Sequence, residues 1–227
     1  MYNFVKTEKN SMKESMNELQ KRVLSIIDIL KKTYPGATTA LLHKSPLQLL
    51  VATILSAQCT DERVNKVTPA LFKKYLTAKA FAETSQEELE NDIRSTGFFR
   101  NKAKSIRNCC KVLHEQYNGK VPDSMELLVK LPGIGRKTAN VVLGNAFGQP
   151  AITVDTHVKR LSQRLKFTGQ SNPDKIEFDL QKIIPEKDWL LVSESLILHG
   201  RNICHARKPN CVECPINKLC PSSTALK

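Results

Sequence analysis

The residue types that could do chemistry gather in two places. One is "LPGIGRKTANVVL", Leu131 to Leu143, where a proline and two glycines break the chain and Arg136-Lys137 follow at once. The other is the C-terminus, where Cys204, Cys211, Cys214 and Cys220 stand as C-x6-C-x2-C-x5-C. A lysine side chain can bind phosphate as a cation or attack carbon as a neutral amine. A free lysine has a pKa near 10.4, so few amines are neutral at pH 7 and attack needs a base close by. The candidate base is Asp155 in "AITVDTHVKRL", where Asp also suits the N-cap of the helix that follows. His157, two residues on, reads as structural or phosphate-facing.

Four thiolates within 17 positions can wrap one compact centre. Zinc sites usually pair two short C-x2–4-C knuckles across a longer loop, and only one such pair occurs here. A [4Fe–4S] cluster also takes four thiolates. Spacing leaves both metals open. The spacer "HARKPN" would hold Arg207 and Lys208 outward if its ends were pinned by ligated cysteines, a geometry suited to phosphate contact. Cys110, on the stripe Ala103, Ile106, Cys110, Leu113 and Tyr117, reads as core, with Cys109 beside it; Cys59 reads as an ordinary thiol.

The elements that must carry these groups are helical almost throughout, and the predicted class is all-α. "LQKRVLSIIDIL" places Leu19, Val23, Ile26, Ile27 and Leu30 at helical spacing. "SPLQLLVATILSAQ" opens with Ser45 and Pro46 and is apolar nearly all round, which predicts a buried central helix. "SQEELENDIRSTG" carries a capping-box pattern, Ser85 with Glu88, and ends at Gly97. Pro132-Gly133-Ile134-Gly135 is predicted as a tight hairpin between a short helix, "SMELLVK", and a longer one with an Ala139, Val142, Leu143, Ala146 stripe. Lys137 projects about 160° from that stripe, away from the helix's own core. Free N–H groups at the hairpin and the helix start would cradle a phosphate without reading base sequence.

The chain has 227 residues and a formal net charge of +13, which points to a polyanionic partner. No apolar run is long enough to span a membrane. The N-terminal stretch has no apolar h-region, so secretion is not expected and a cytoplasmic, nucleoid-associated location of bacterial or archaeal type is. That context also disfavours a disulfide framework for the seven cysteines.

Taken in order, "LPGIGRKTANVVL", "VDTH", "LILHGR" and the cysteine tail resemble the endonuclease III family, bifunctional DNA glycosylase/AP lyases of the helix-hairpin-helix superfamily. The resemblance covers about residues 20–222. It implies two α-helical domains: a six-helix domain at 39–149 carrying the hairpin, and a domain joining residues 1–38 to 150–227 around a [4Fe–4S] cluster held by the four cysteines. It implies a monomer acting on double-stranded DNA with a damaged pyrimidine or an abasic site. Lys137 falls on the catalytic lysine and Asp155 on the aspartate. Lys137 would attack C1′ of an oxidised pyrimidine nucleotide, and β-elimination through a Schiff base would cut the strand. Gln58 in "LSAQCTD" matches the residue that enters the gap left by the flipped base. Phe98 in "STGFFRNKA" stands where many relatives have a leucine wedge. Gly133, Ile134, Gly135, Arg136, His157, Arg207 and Lys208 complete the expected DNA contacts.

Three sister groups fit less well. The adenine-mismatch glycosylases use a glutamate in the helix matching "LLVATILSAQ", which has none; the thymine-mismatch enzymes usually replace the lysine; the 8-oxoguanine enzymes lack the cysteine tail. A non-catalytic DNA-binding module would share the hairpin, the cluster and the charge, and only the Lys137–Asp155 pair separates it.

Overall fold

The computed structural model describes residues 14–225. The first 13 positions, part of the expected N-terminal extension, lie outside the described residues. Helices α1 (Met16–Thr33), α2 (Pro46–Leu55), α3 (Asp61–Lys74), α4 (Ala78–Glu83), α5 (Gln86–Ile93), α6 (Phe99–Gln116), α7 (Met125–Leu128), α8 (Arg136–Phe147), α9 (Thr156–Arg164), α10 (Pro173–Ile183) and α11 (Trp189–Asn202) account for the regular structure, with three short 3-10 turns. No strand occurs among the described residues. Among the described residues no helix is long and apolar enough to cross a membrane.

Two buried apolar clusters divide the helices. The first runs from Leu41 to Ala151 and is built from α2 to α8 around Leu49, Leu50, Leu55, Ile106 and Leu113. It holds six helices of six residues or more and one four-residue turn, α7. The second joins Val23, Ile26, Ile27 and Leu30 of α1 to Val158, Leu161, Ile176, Leu180, Val192 and Leu196 of the C-terminal helices. The apolar α2 is central as its composition requires: Leu49 to Ala52 and Leu55 have no exposed surface. Ser45 caps it by accepting from Gln48 N, and Pro46 opens it. Cys109 and Cys110 are fully buried, and burial pushes both thiols far up from their ordinary range, as suits core residues.

The capping box expected at Ser85 is half formed. Ser85 Oγ accepts from Glu88 N, but the Glu88 carboxylate turns to Lys74 and Thr84 instead of back to the cap. A nearby cation and hydroxyl outbid one exposed N–H. The complete box stands at α1, between Ser15 and Glu18.

Polar contacts fasten the two clusters together. The Glu177 carboxylate, 3 % exposed, accepts two bonds from Arg136 (2.7 and 2.9 Å) and one from Asn140 (2.9 Å). Asp61 at the start of α3 meets Arg201 at 2.8 Å. Asn145 Oδ1 accepts from Thr38 and Thr39, and its amide donates to Glu194 on α11. Removing one partner of a buried pair leaves a stranded charge, so Glu177→Ala should cost about 3 kcal/mol, the low end for such pairs because Arg136 retains some solvent. Urea unfolding followed by circular dichroism measures it. A loss under about 1 kcal/mol would mean that the pair contributes only as an exposed one does.

Candidate active site and DNA-facing surface

The hairpin is closed by one backbone bond and one left-handed glycine. Ile134 is buried and its N–H bonds Leu131 O, closing the turn. Gly133 sits at φ +78°, and a Cβ there would meet the Ser105 side chain at 3.2 Å. Glycine is therefore required twice over, by backbone conformation and by the close approach of α6. Gly135 then starts α8 with no side-chain cap, which leaves the first-turn N–H groups free to face an anion.

Two cations on the first turn of α8 oppose the helix dipole. They are handled differently. Arg136 is folded back onto Glu177 and stacks over Phe178, its guanidinium carbon 4.8 Å from the ring centroid. Arg136, expected to contact DNA, here meets Glu177 and so joins α8 to α10. Lys137 makes no ion pair among the described residues; it is exposed and projects away from Ala139, Val142 and Leu143, which are buried.

Lys137 and Asp155 line one cavity of about 90 Å³ between the two apolar clusters. Thr53, Asp61, Thr153, Glu194 and Arg201 share its walls. Asp155 is the N-cap of α9, its Oδ1 accepting from Val158 N at 2.8 Å. One oxygen is thus occupied by the cap while the residue still borders the cavity. Of the wall residues, Arg201 and Asp61 lie inside "LILHGR" and "LSAQCTD" and were within reach of the sequence. Thr153 and Glu194 gave no signal, since nothing in a lone threonine or a glutamate on an apolar helix marks a cavity wall.

The expected base-gap residues also meet. Gln58, Phe98 and Gly133 border a second cavity of about 270 Å³. Gln58 (φ +52°) and Phe98 (φ +47°) both adopt the left-handed conformation that residues of their kind rarely take. Phe98 is 62 % exposed, an apolar ring held in solvent. Behind it Lys102 is buried and its ammonium donates to Thr96 O at 2.7 Å, so α6 grips the loop that presents Phe98. Burial lowers the Lys102 pKa. Sequence reasoning missed this lysine; its place beside Ala103, on the core face of α6, was the available signal.

His157 is half-buried, with Nδ1 3.1 Å from an Arg160 nitrogen that also donates to Gly200 O and Cys204 O. The cation thus ties the segment after Asp155 to the cysteine loop. Arg164 braces the loop itself, donating to His205 O and Ala206 O, and Arg207 and Lys208 stand exposed at its tip.

The four cysteines Cys204, Cys211, Cys214 and Cys220 line one cavity with Leu161, Ile203 and Ile216. No three donor side chains among the described residues are close enough to hold a single metal ion. Four thiols around one apolar cavity fit the ligand number of a [4Fe–4S] cluster. Arg164 also donates to Cys204 Sγ at 3.1 Å, and His199 Nε2 lies 3.4 Å from Cys214 Sγ. Burial holds His199 neutral, its pKa pushed down to about 4, and its Nδ1 meets the Tyr34 hydroxyl at 3.0 Å.

Comparison with known proteins finds the family described as HhH-GPD superfamily base excision DNA repair protein over residues 51–186. The iron-sulfur binding domain of endonuclease III matches residues 204–220. Endonuclease III of a Synechocystis strain is 57 % identical over 95 % of this chain and 99 % of its own length. Endonuclease III of Escherichia coli K12 is 44 % identical over 87 % of this chain and 93 % of its own. Among solved structures, an endonuclease III–DNA non-covalent complex superposes with a TM-score of 0.86 at 46 % identity, covering 90 % of this chain and 96 % of that one. A trapped covalent endonuclease III–DNA intermediate matches equally well.

Proposed function

The chain belongs to the HhH-GPD superfamily of base excision DNA repair proteins, in its endonuclease III family, and from that premise we propose which of its residues cut DNA and how. It is a DNA glycosylase with AP lyase activity, it binds DNA, and it carries a [4Fe–4S] cluster. Lys137 is the nucleophile and Asp155 its partner. The observation that carries this is their placement on one cavity, the lysine projecting from the free N-terminus of α8 and the carboxylate from the start of α9.

The substrate is double-stranded DNA holding an oxidised, ring-saturated or fragmented pyrimidine, or an abasic site. The damaged nucleotide leaves the stack and enters the cavity. Asp155 accepts the proton of Lys137, and the amine attacks C1′ as the base departs. The resulting Schiff base acidifies C2′, and β-elimination breaks the strand 3′ to the lesion. Asp155 also stabilises positive charge developing on the sugar. Gln58 fills the gap in the stack, Phe98 wedges the opposite strand, and the Gly133-Ile134-Gly135 hairpin holds the phosphates through the N–H groups of Gly133 and Gly135, while Ile134 fixes the turn. His157, Arg207 and Lys208 add contacts further along the backbone. The two apolar clusters are taken as two domains, 39–149 and a second that combines 1–38 with 150–227, working as a monomer. Chromosomal DNA as substrate and bacterial relatives support a cytoplasmic, nucleoid-associated location.

Cys204, Cys211, Cys214 and Cys220, which line one cavity, would hold the cluster, and their ligation would fix both ends of the 205–210 loop.

Incision of a thymine-glycol duplex beside an abasic duplex tests the reading: both should be cut, and borohydride should trap a covalent complex. An enzyme that binds both and traps neither would sink it. Binding should weaken with salt at a log–log slope on the order of −4 to −5, for four to six phosphate contacts. A flat response in a salt titration would remove the hairpin and the 205–210 loop as phosphate contacts.

A further inference from the structure

Glu194 lies on the inner wall of the cavity that holds Lys137 and Asp155, with only 5 % of its surface exposed. Asn145 Nδ2 donates to its Oε1 at 3.1 Å, and no hydrogen bond among the described residues engages Oε2. An ionised carboxylate in such a place is costly unless a cation pairs with it, and none of the ion pairs of the described residues includes Glu194. Thr153, 2 % exposed, lines the same cavity and carries a buried hydroxyl with no partner. Buried polar atoms are nearly always paired, so an orphan hydroxyl and a half-paired carboxyl on one cavity mark a wall built for a polar ligand.

We propose that Glu194 is the general acid of base release, delivering its carboxylic proton to the departing pyrimidine. This rests on the reading of Lys137 and Asp155 as the groups that act on the sugar in this cavity. A pyrimidine that leaves with the glycosidic electron pair carries negative charge out to its C2 carbonyl oxygen. Glu194 O–H transfers its proton there as the C1′–N1 bond breaks and the Lys137 Nζ–C1′ bond forms. Asp155 takes the proton that Lys137 gives up. Glu194 is left as carboxylate and regains its proton from solvent after product leaves. Two carboxyls thus divide the work, one holding a proton and one receiving it.

Electrostatics agree. Burial is the main effect that raises the Glu194 pKa, the Asn145 hydrogen bond opposes it, Asp155 and Asp61 raise it further, and Arg201 lowers it. The other charged group facing the cavity is Lys137. A raised pKa keeps the acid form present at higher pH than for an exposed glutamate.

The two chemical steps separate the proposal from a structural role. Removing an intact base needs an acid for the leaving group; cutting a preformed abasic site does not. Glu194→Gln keeps the acceptor for Asn145 but has no acidic proton. Under single turnover it should slow excision of thymine glycol by about 100-fold and slow abasic-site incision far less. Equal losses in both steps, or excision at the wild-type rate, would overturn the proposal. If the variant does not fold, the wild-type pH profiles decide: excision should fall on the alkaline side through a limb that incision lacks, and superimposable profiles would overturn it. Failure of wild type to trap with borohydride would instead strike the Lys137 reading.

Discussion

Lys137→Gln should abolish borohydride trapping and reduce single-turnover excision by roughly 10,000-fold or more, as removal of a covalent nucleophile does. The fold should not suffer. Lys137 is exposed and makes no ion pair among the described residues, and it places a cation at the positive end of α8. Removing that charge should raise stability by about 0.3–1 kcal/mol. Loss of activity with a gain in stability is what a lysine kept for chemistry produces. A phosphate-binding lysine would instead weaken DNA affinity and the salt slope by about one contact while trapping persisted. Thermal melting, binding at two salt concentrations and trapping distinguish the two outcomes.

Asp155 needs a pair of variants because it already has a structural task. Its Oδ1 caps α9 at Val158 N. Asparagine caps a helix as well as aspartate, so Asp155→Asn should melt within a few tenths of a kcal/mol of wild type. It cannot take a proton from Lys137, and excision should fall by about 100- to 10,000-fold. Asp155→Ala loses both, adding a stability cost of about 1 kcal/mol. Wild-type excision by Asp155→Asn would leave the residue as a cap and nothing more, and another base would have to be found among the cavity walls.

The hairpin was legible because three constraints coincide there: a proline, a glycine at 133 where φ and the approach of Ser105 favour one, and an apolar stripe that restarts at Ala139. Lys137's outward direction followed from helical geometry alone. The ion pair of Arg136 was not legible because its partner, Glu177, lies 41 residues away, on a helix whose pattern shows only amphipathicity. Charge on a chain says what a partner could be, not which cation the fold will neutralise internally. The half-formed box at Ser85 failed for the same reason: Lys74 comes from another helix. The cavity walls beyond Lys137 and Asp155 were hidden, since Thr153 and Glu194 acquire their setting only when α11 packs across the segment between α8 and α9. The cysteines gave the ligand number from spacing, but the choice between zinc and a cluster needed the match of residues 204–220 to the iron-sulfur binding domain of endonuclease III.

The most direct measurement is peptide mapping of the borohydride-trapped complex formed on abasic DNA. The reduced deoxyribose adduct should sit on the Nζ of Lys137 and on no other amine. An adduct on another lysine or on the N-terminal amine, with Lys137 unmodified, would contradict the assignment of the nucleophile.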